Sequence, residues 1–262
     1  MTRLMVAVIA SMAGAASAQS ILYSGGTYSQ NFDGLASSGF EALTGAGPHH
    51  LEGVLGSTGM NGWYAFRSGG SGTTTEFRAQ DGSLSGSAGR GVVSFGTTGS
   101  GERALGGLAT SAQIGRFGAV LVNNTSETLT DVTISYTGEQ WRRGNVPAPG
   151  NTLYFAYALS NSIADATTTF APLNFVAPNN QSSPTEVALN GNDPLNQTFI
   201  SATLLGLNWA PGASLAIAWQ CEDISGQDDG LAIDSVSISA VPAPGSAALL
   251  AMGGLLAARR RR

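Results

Sequence analysis

The chain has 262 residues, 36 of them glycine, with no lysine, twelve arginines and seventeen aspartates and glutamates. Five of the arginines, Arg3 and Arg259 to Arg262, stand at the two ends, so the interior sets seven arginines against all seventeen acids. An acidic interior argues against nucleic-acid and anionic-membrane partners, which need basic patches, and abundant Gly, Ser, Thr and Asn favour short strands and turns over helices.

Residues 1–18 read as a secretory signal. Arg3 supplies the positive start, residues 4–16 are apolar, and Ala16-Ser17-Ala18 is a small-x-small cleavage site for signal peptidase. The mature chain then begins at Gln19. Removing the two ends leaves residues 19–240, the size of one sandwich or barrel domain.

Strand signals follow in order. Residues 28–32 alternate weakly, and the glycine-rich stretch 34–62 reads as loop. Residues 63–67, 75–79 and 91–95 are further weak strands. Clear period-two alternation sets in at 117–122, 132–136 and 153–159, where Leu153, Phe155, Tyr157 and Leu159 share one face. Residues 160–166 read as a short helix or loop, and 177–191 as a second loop region around Pro178 and Pro184 that holds a weak strand at 185–189. Residues 199–205 are a weak strand. In 215–219, Leu215, Ile217 and Trp219 share a face opposite small alanines. The closing run 231–239 changes phase at Asp234-Ser235, which predicts a bulge. Many short strands in one domain predict an all-β fold: a two-sheet antiparallel sandwich, jelly-roll or lectin-like, with hydrophobic targeting helices at both ends of the chain.

The candidate chemistry is sparse. Cys221 is the only cysteine, so no intramolecular disulfide forms, and it reads as a small buried residue on a strand. His49 and His50 are the only histidines. An adjacent pair in a glycine-rich loop suits neither a rigidly held general base nor, by count, a three-histidine zinc site. Glycoside hydrolysis needs only two carboxylates at a set separation. Glu139 beside Trp141, with Glu222 or Asp223 as partner, is the pair such a reading would use. The plainer expectation is an ion pair from Glu139 to Arg142 or Arg143, with Trp141 at a sheet edge. Trp63 and Trp141 are the ring systems placed to stack on sugar, with Tyr64 and Trp209 in the same pool and Trp219 expected in the core. The loop 221–230 offers Asp223, Asp228 and Asp229 as hard oxygen ligands for a structural Ca²⁺. The other reading of that loop is an acidic turn whose carboxylates cap backbone amides.

The chain closes on Val241-Pro242-Ala243-Pro244, an apolar run over 245–258, and Arg259, Arg260, Arg261 and Arg262. That run is shorter than the roughly 20 residues of a free-standing span, and Gly253-Gly254 weakens it further. The arginines would stay on the cytoplasmic side. The layout suits transient membrane insertion during export, followed by processing. It resembles the PEP-CTERM sorting signal of bacterial envelope proteins, with Ala243 where that motif carries Glu. The resemblance implies processing by an exosortase, in an envelope that often makes exopolysaccharide; the alternative is an anchor that is never cut. In the middle of the chain, the segments 31–35, 62–64, 103–106, 122–125, 136–142 and 230–234 are similar, in their order, to a sandwich module of secreted bacterial proteins. That likeness implies location and fold more than activity. The resulting expectation is an exported, surface-sorted, non-catalytic envelope or extracellular-matrix protein that binds exopolysaccharide. The alternatives are a secreted glycan hydrolase on the same fold and a Ca²⁺-dependent adhesin.

Overall fold

The structure, a computed structural model, describes residues 19–145, 150–180 and 185–242. The expected signal segment, its cleavage residues Ala16 and Ala18, and the sorting residues Ala243, Pro244 and Arg259 to Arg262 lie outside the described residues. Among the described residues no helix is long and apolar enough to cross a membrane.

Among the described residues seventeen strands form two sheets. The first part of the chain gives β1 (Ile21–Tyr23), β2 (Thr27–Gln30), β3 (Phe40–Thr44), β4 (His49–His50), β5 (Trp63–Gly69), β6 (Thr74–Gln80), β7 (Gly91–Phe95), β8 (Ala104–Leu108) and β9 (Ile114–Asn123). The second part gives β10 (Leu129–Arg143), β11 (Thr152–Ala158), β12 (Thr168–Thr169), β13 (Phe175–Val176), β14 (Val187–Ala188), β15 (Gln197–Leu204), β16 (Ser214–Cys221) and β17 (Gly230–Pro242). One sheet runs β12-β11-β16-β9-β5-β4, with β1 also on β9 and β13 on β11. The other runs β14-β10-β17-β8-β7-β6-β3, with β15 also on β10 and β2 on β17. The fold is therefore all-β and a two-layer sandwich.

Alternation explains the core. Leu215, Ile217 and Trp219 of β16 point inward with Phe117 and Leu121 of β9 and Phe155 of β11, and meet Val132, Ile134 and Tyr136 of β10 and Val236 and Ile238 of β17. Trp219 is the hub. Its ring lies 5.2 Å from Phe155 and 5.3 Å from Tyr136, both edge-on, and 6.4 Å from Trp63 in a stacked pair. Such ring pairs add about 0.5–1.5 kcal/mol each beyond the area they bury.

The expected bulge is present. Opposite β10, the register of β17 steps from Ser135↔Ser237 to Thr137↔Asp234, and Ser235 takes a positive φ of 50°. Two expectations need correction. The stretch 34–62 carries β3 and β4 as well as loop; left-handed glycines such as Gly45, Gly47 and Gly53 break it into strands too short for a periodic signal. The predicted strand 132–136 is the middle of the fifteen-residue β10. Past Thr137 both faces of β10 are covered, so alternation disappears from the sequence while the strand continues.

Candidate metal centre

Three carboxylates converge on the outer face of the second sheet. Glu102 comes from the turn before β8, Glu139 from β10 and Asp234 from the bulge of β17. Because β17 pairs with both β10 and β8, its register brings all three together, and one carboxylate oxygen of each lies within 4.8 Å of the others. Among the described residues this is the one group of three or more acidic, histidine or cysteine side chains close enough to share an ion.

A second layer covers part of this face. Trp141 of β10 stacks on Phe95 at 6.1 Å and packs with Val93, Ala104 and Ala232 in a small core of its own. The segment running into β15 lies over it. A Cβ at Gly191 would come within 2.3 Å of the indole, so the crossing requires glycine. Under this cover Glu139 is 1% exposed. Its Oε2 accepts the Trp141 Nε1–H at 2.9 Å and its Oε1 accepts the Gln197 Nε2–H at 3.0 Å. Asp234 Oδ2 accepts the Ser235 hydroxyl at 2.9 Å. Glu102 Oε2 accepts from Asn192 Nδ2. Glu102 Oε1 and Asp234 Oδ1 are buried and have no hydrogen-bond partner.

Burial pushes the Glu139 carboxyl up to about 8, and the charges of Asp234 and Glu102 add to that rise against the hydrogen bonds from Trp141 and Gln197. Asp234 rises to about 6, again chiefly by burial, with Glu102 and Asp33 contributing. Three crowded acids in a partly dry site are neutralised either by protons or by a cation. Two buried oxygens without donors are the groups a cation would satisfy. The donor set, all carboxylate oxygen, suits a hard divalent cation such as Ca²⁺. Beside the cluster a groove of about 440 Å³ is lined by Ser29, Gln30, Asn31, Ser235 and Val236, neighbours in sequence of Asp33 and Asp234.

Asp223, Asp228 and Asp229, the residues expected to hold calcium, lie apart from this cluster. Asp223 is exposed. Asp228 Oδ1 accepts from Asn151 Nδ2 at 2.8 Å and from the Ile224 amide at 3.2 Å. Asp229 accepts from the amides of Gly144 at 2.6 Å and Asn151 at 3.1 Å. Asp228 and Asp229 thus cap backbone amides, as in the second reading of that loop. Burial holds Asp228 up at about 7.

The structure places the expected sugar-stacking residues inside the molecule. Trp63 and Trp141 are 0% and 1% exposed, so neither ring can meet a ligand. Trp63 donates its Nε1–H to the Tyr28 hydroxyl at 2.8 Å in the main core, and Trp141 is roofed as described. Glu139 contacts neither Arg142 nor Arg143; Arg142 pairs with Glu186. Glu222 accepts from the Thr152 amide at 2.9 Å and the Tyr154 hydroxyl at 2.8 Å. His50 Nε2 accepts the Gly62 amide at 3.1 Å, tying β4 to the start of β5. Cys221 is a free, buried thiol on β16, as expected, raised to about 12 by burial. Sequence reasoning missed Glu102 because it stands alone beside Arg103, between strands and outside any acidic run, and passed over Asp234 as part of the bulge. The bulge itself was the available signal, since bulges re-aim side chains beside sites.

No protein-family model matches the chain, and no curated protein matches it. Among solved structures it is similar to two cleaved adhesin domains of the Lys-gingipain of Porphyromonas gingivalis. One has a TM-score of 0.32 and 16% identity over 83% of this chain and 99% of that one. The other has 0.37 and 12% over 68% and 91%. It is also similar to TmCBM61, solved in complex with β-1,4-galactotriose, at a TM-score of 0.31 and 9% identity over 60% of this chain and 86% of that one. No residue role is carried over from these proteins.

Proposed function

We propose that the chain is an exported, surface-sorted, non-catalytic envelope or extracellular-matrix protein that binds polysaccharide. Its jelly-roll-like sandwich is pinned by a calcium ion between Glu102, Glu139 and Asp234. The observation that carries the non-catalytic reading is the state of Glu139, the best acid for glycoside chemistry. It is buried, and both of its oxygens are engaged by Trp141 and Gln197. A general acid must reach the glycosidic oxygen, and this one cannot. The tail resemblance supplies the location: signal peptidase cuts before Gln19, residues 245–258 insert transiently, and an exosortase acts near Val241-Pro242-Ala243-Pro244. Val241 and Pro242 already belong to β17, opposite Asp131 and Leu129, so a cut beyond them leaves the sheet whole.

The test is retention of the purified protein by the producing organism's extracellular polysaccharide, with an assay for released sugar. Retention without release is the expected result; sugar release at a steady rate would overturn the non-catalytic reading. A second reading, an adhesin whose grip depends on calcium, is favoured by the carboxylate cluster. It differs in expecting chelator to abolish retention while the domain is still folded.

A further inference from the structure

The outer face of the first sheet is divided in two. One half is roofed by the segment 159–167, whose Ile163 is buried on a floor that includes Val120, Ala156, Ala216 and Ala218. Beside the roof the face is partly exposed, with Phe66 on the border and packed against the roofed cluster. A single cross-strand row runs over it: Tyr154 of β11 pairs with Gln220 of β16, Gln220 with Arg116 of β9, and Arg116 with Phe66 of β5. Tyr154 is 39% exposed, and Gln220, Arg116 and Phe66 are partly exposed. Three strand spacings place the two aromatic positions about 14 Å apart, the reach of a short run of pyranose rings, with an amide and a guanidinium between them.

Arg116 is held rigidly by neutral groups. Its Nη1 donates to the carbonyl of Ala166 at 3.1 Å and to those of Ile163 and Ala164 at 3.4 Å. Its Nη2 donates to Gln220 Oε1 at 2.7 Å. The three ion pairs among the described residues use Arg78, Arg90 and Arg142, so Arg116 is a fixed positive charge with no carboxylate against it. The Tyr154 ring is fixed in turn by its hydroxyl, which donates to Glu222 Oε1.

We infer that the row Tyr154–Gln220–Arg116–Phe66 is the protein's glycan platform and that its ligand is a polysaccharide bearing carboxylate groups. Aromatic rings pack against the C–H faces of pyranoses, the amide meets hydroxyls, and the uncompensated guanidinium pairs with a uronate. The inference rests on the polysaccharide-binding reading and gives it a site and a substrate class.

The experiment is affinity electrophoresis of the full chain, Tyr154→Ala and Tyr154→Phe through gels holding polygalacturonate, its methyl ester or dextran, with melting curves for each variant. The expected result is retention by polygalacturonate alone, weakened roughly tenfold in Tyr154→Ala and kept in Tyr154→Phe, which has the ring. Retention by polygalacturonate that Tyr154→Ala leaves unchanged overturns the site. Equal retention by the methyl ester or dextran overturns the acidic class, and in both cases the binding reading survives. Retention by none of the three, nor by the organism's own polysaccharide, overturns the inference and the reading together.

Discussion

Glu139 lies under Trp141 and Gln197 with two further carboxylates beside it, so its charge needs a counter-charge or a proton. Glu139→Gln keeps the side-chain shape and removes the charge. In chelator this variant is expected to melt no lower than the wild type, while added calcium no longer raises its melting temperature. A calcium shift of wild-type size would remove Glu139 from the donor set. Asp228 gives a second residue-scale prediction. Burial, with the charge of Asp223 adding, lifts it to about 7 in the folded protein, against about 3.9 in an unfolded chain. Between those values the folded state holds a proton that the unfolded state has released, so this group lowers stability as pH rises from about 4 to 7. Asp228→Asn, which keeps an oxygen for Asn151 and Ile224, is expected to flatten that part of the stability–pH profile; an unchanged slope would contradict the assignment. At this scale the sequence made Glu139 and Trp141 conspicuous but misread their setting. Only one layer over the sheet is legible from strand alternation, and the cover supplied by Gly191 and Gln197 arrives from fifty residues downstream.

Among the elements, β10 and β17 carry the site, and their bulge turns Asp234 toward Glu139. The phase change at Asp234-Ser235 was readable because Ile233 and Val236 are both apolar and face inward although three residues apart, an odd separation that period-two alternation does not allow. The clear strands were equally readable: β9, β11 and β16 each bury one face in the core and so keep their period. What the sequence hid were edge pieces such as β4, β12 and β13, each two residues long, which are held by neighbours with no periodicity of their own. Strand contact also sets a prediction here. β9 and β16 approach so closely at Gly118 that a Cβ there would sit 2.0 Å from the Ile217 carbonyl oxygen. Because backbone cannot yield as a side chain end does, Gly118→Ala is expected to cost about 3 kcal/mol, at the upper end of overpacking. This is read as a lower urea midpoint. A midpoint within error of wild type would mean that the strands are looser than described.

For the whole molecule, the proposed cation would tie three distant chain segments of an acidic sandwich together. Glu102, Glu139 and Asp234 span more than half of the domain's length, so an ion bound only by the folded state stabilises it by mass action. The fold class was legible in composition and alternation. The site was not, because it is made by sheet register between segments that share no local motif. The most direct measurement of the central claim is calorimetric melting of the purified protein near neutral pH, in excess chelator and then in millimolar calcium, beside Asp234→Asn. The expected result is a melting temperature several degrees higher in calcium for the wild type and the same temperature in both buffers for Asp234→Asn. A wild-type melting temperature indifferent to calcium would contradict the claim.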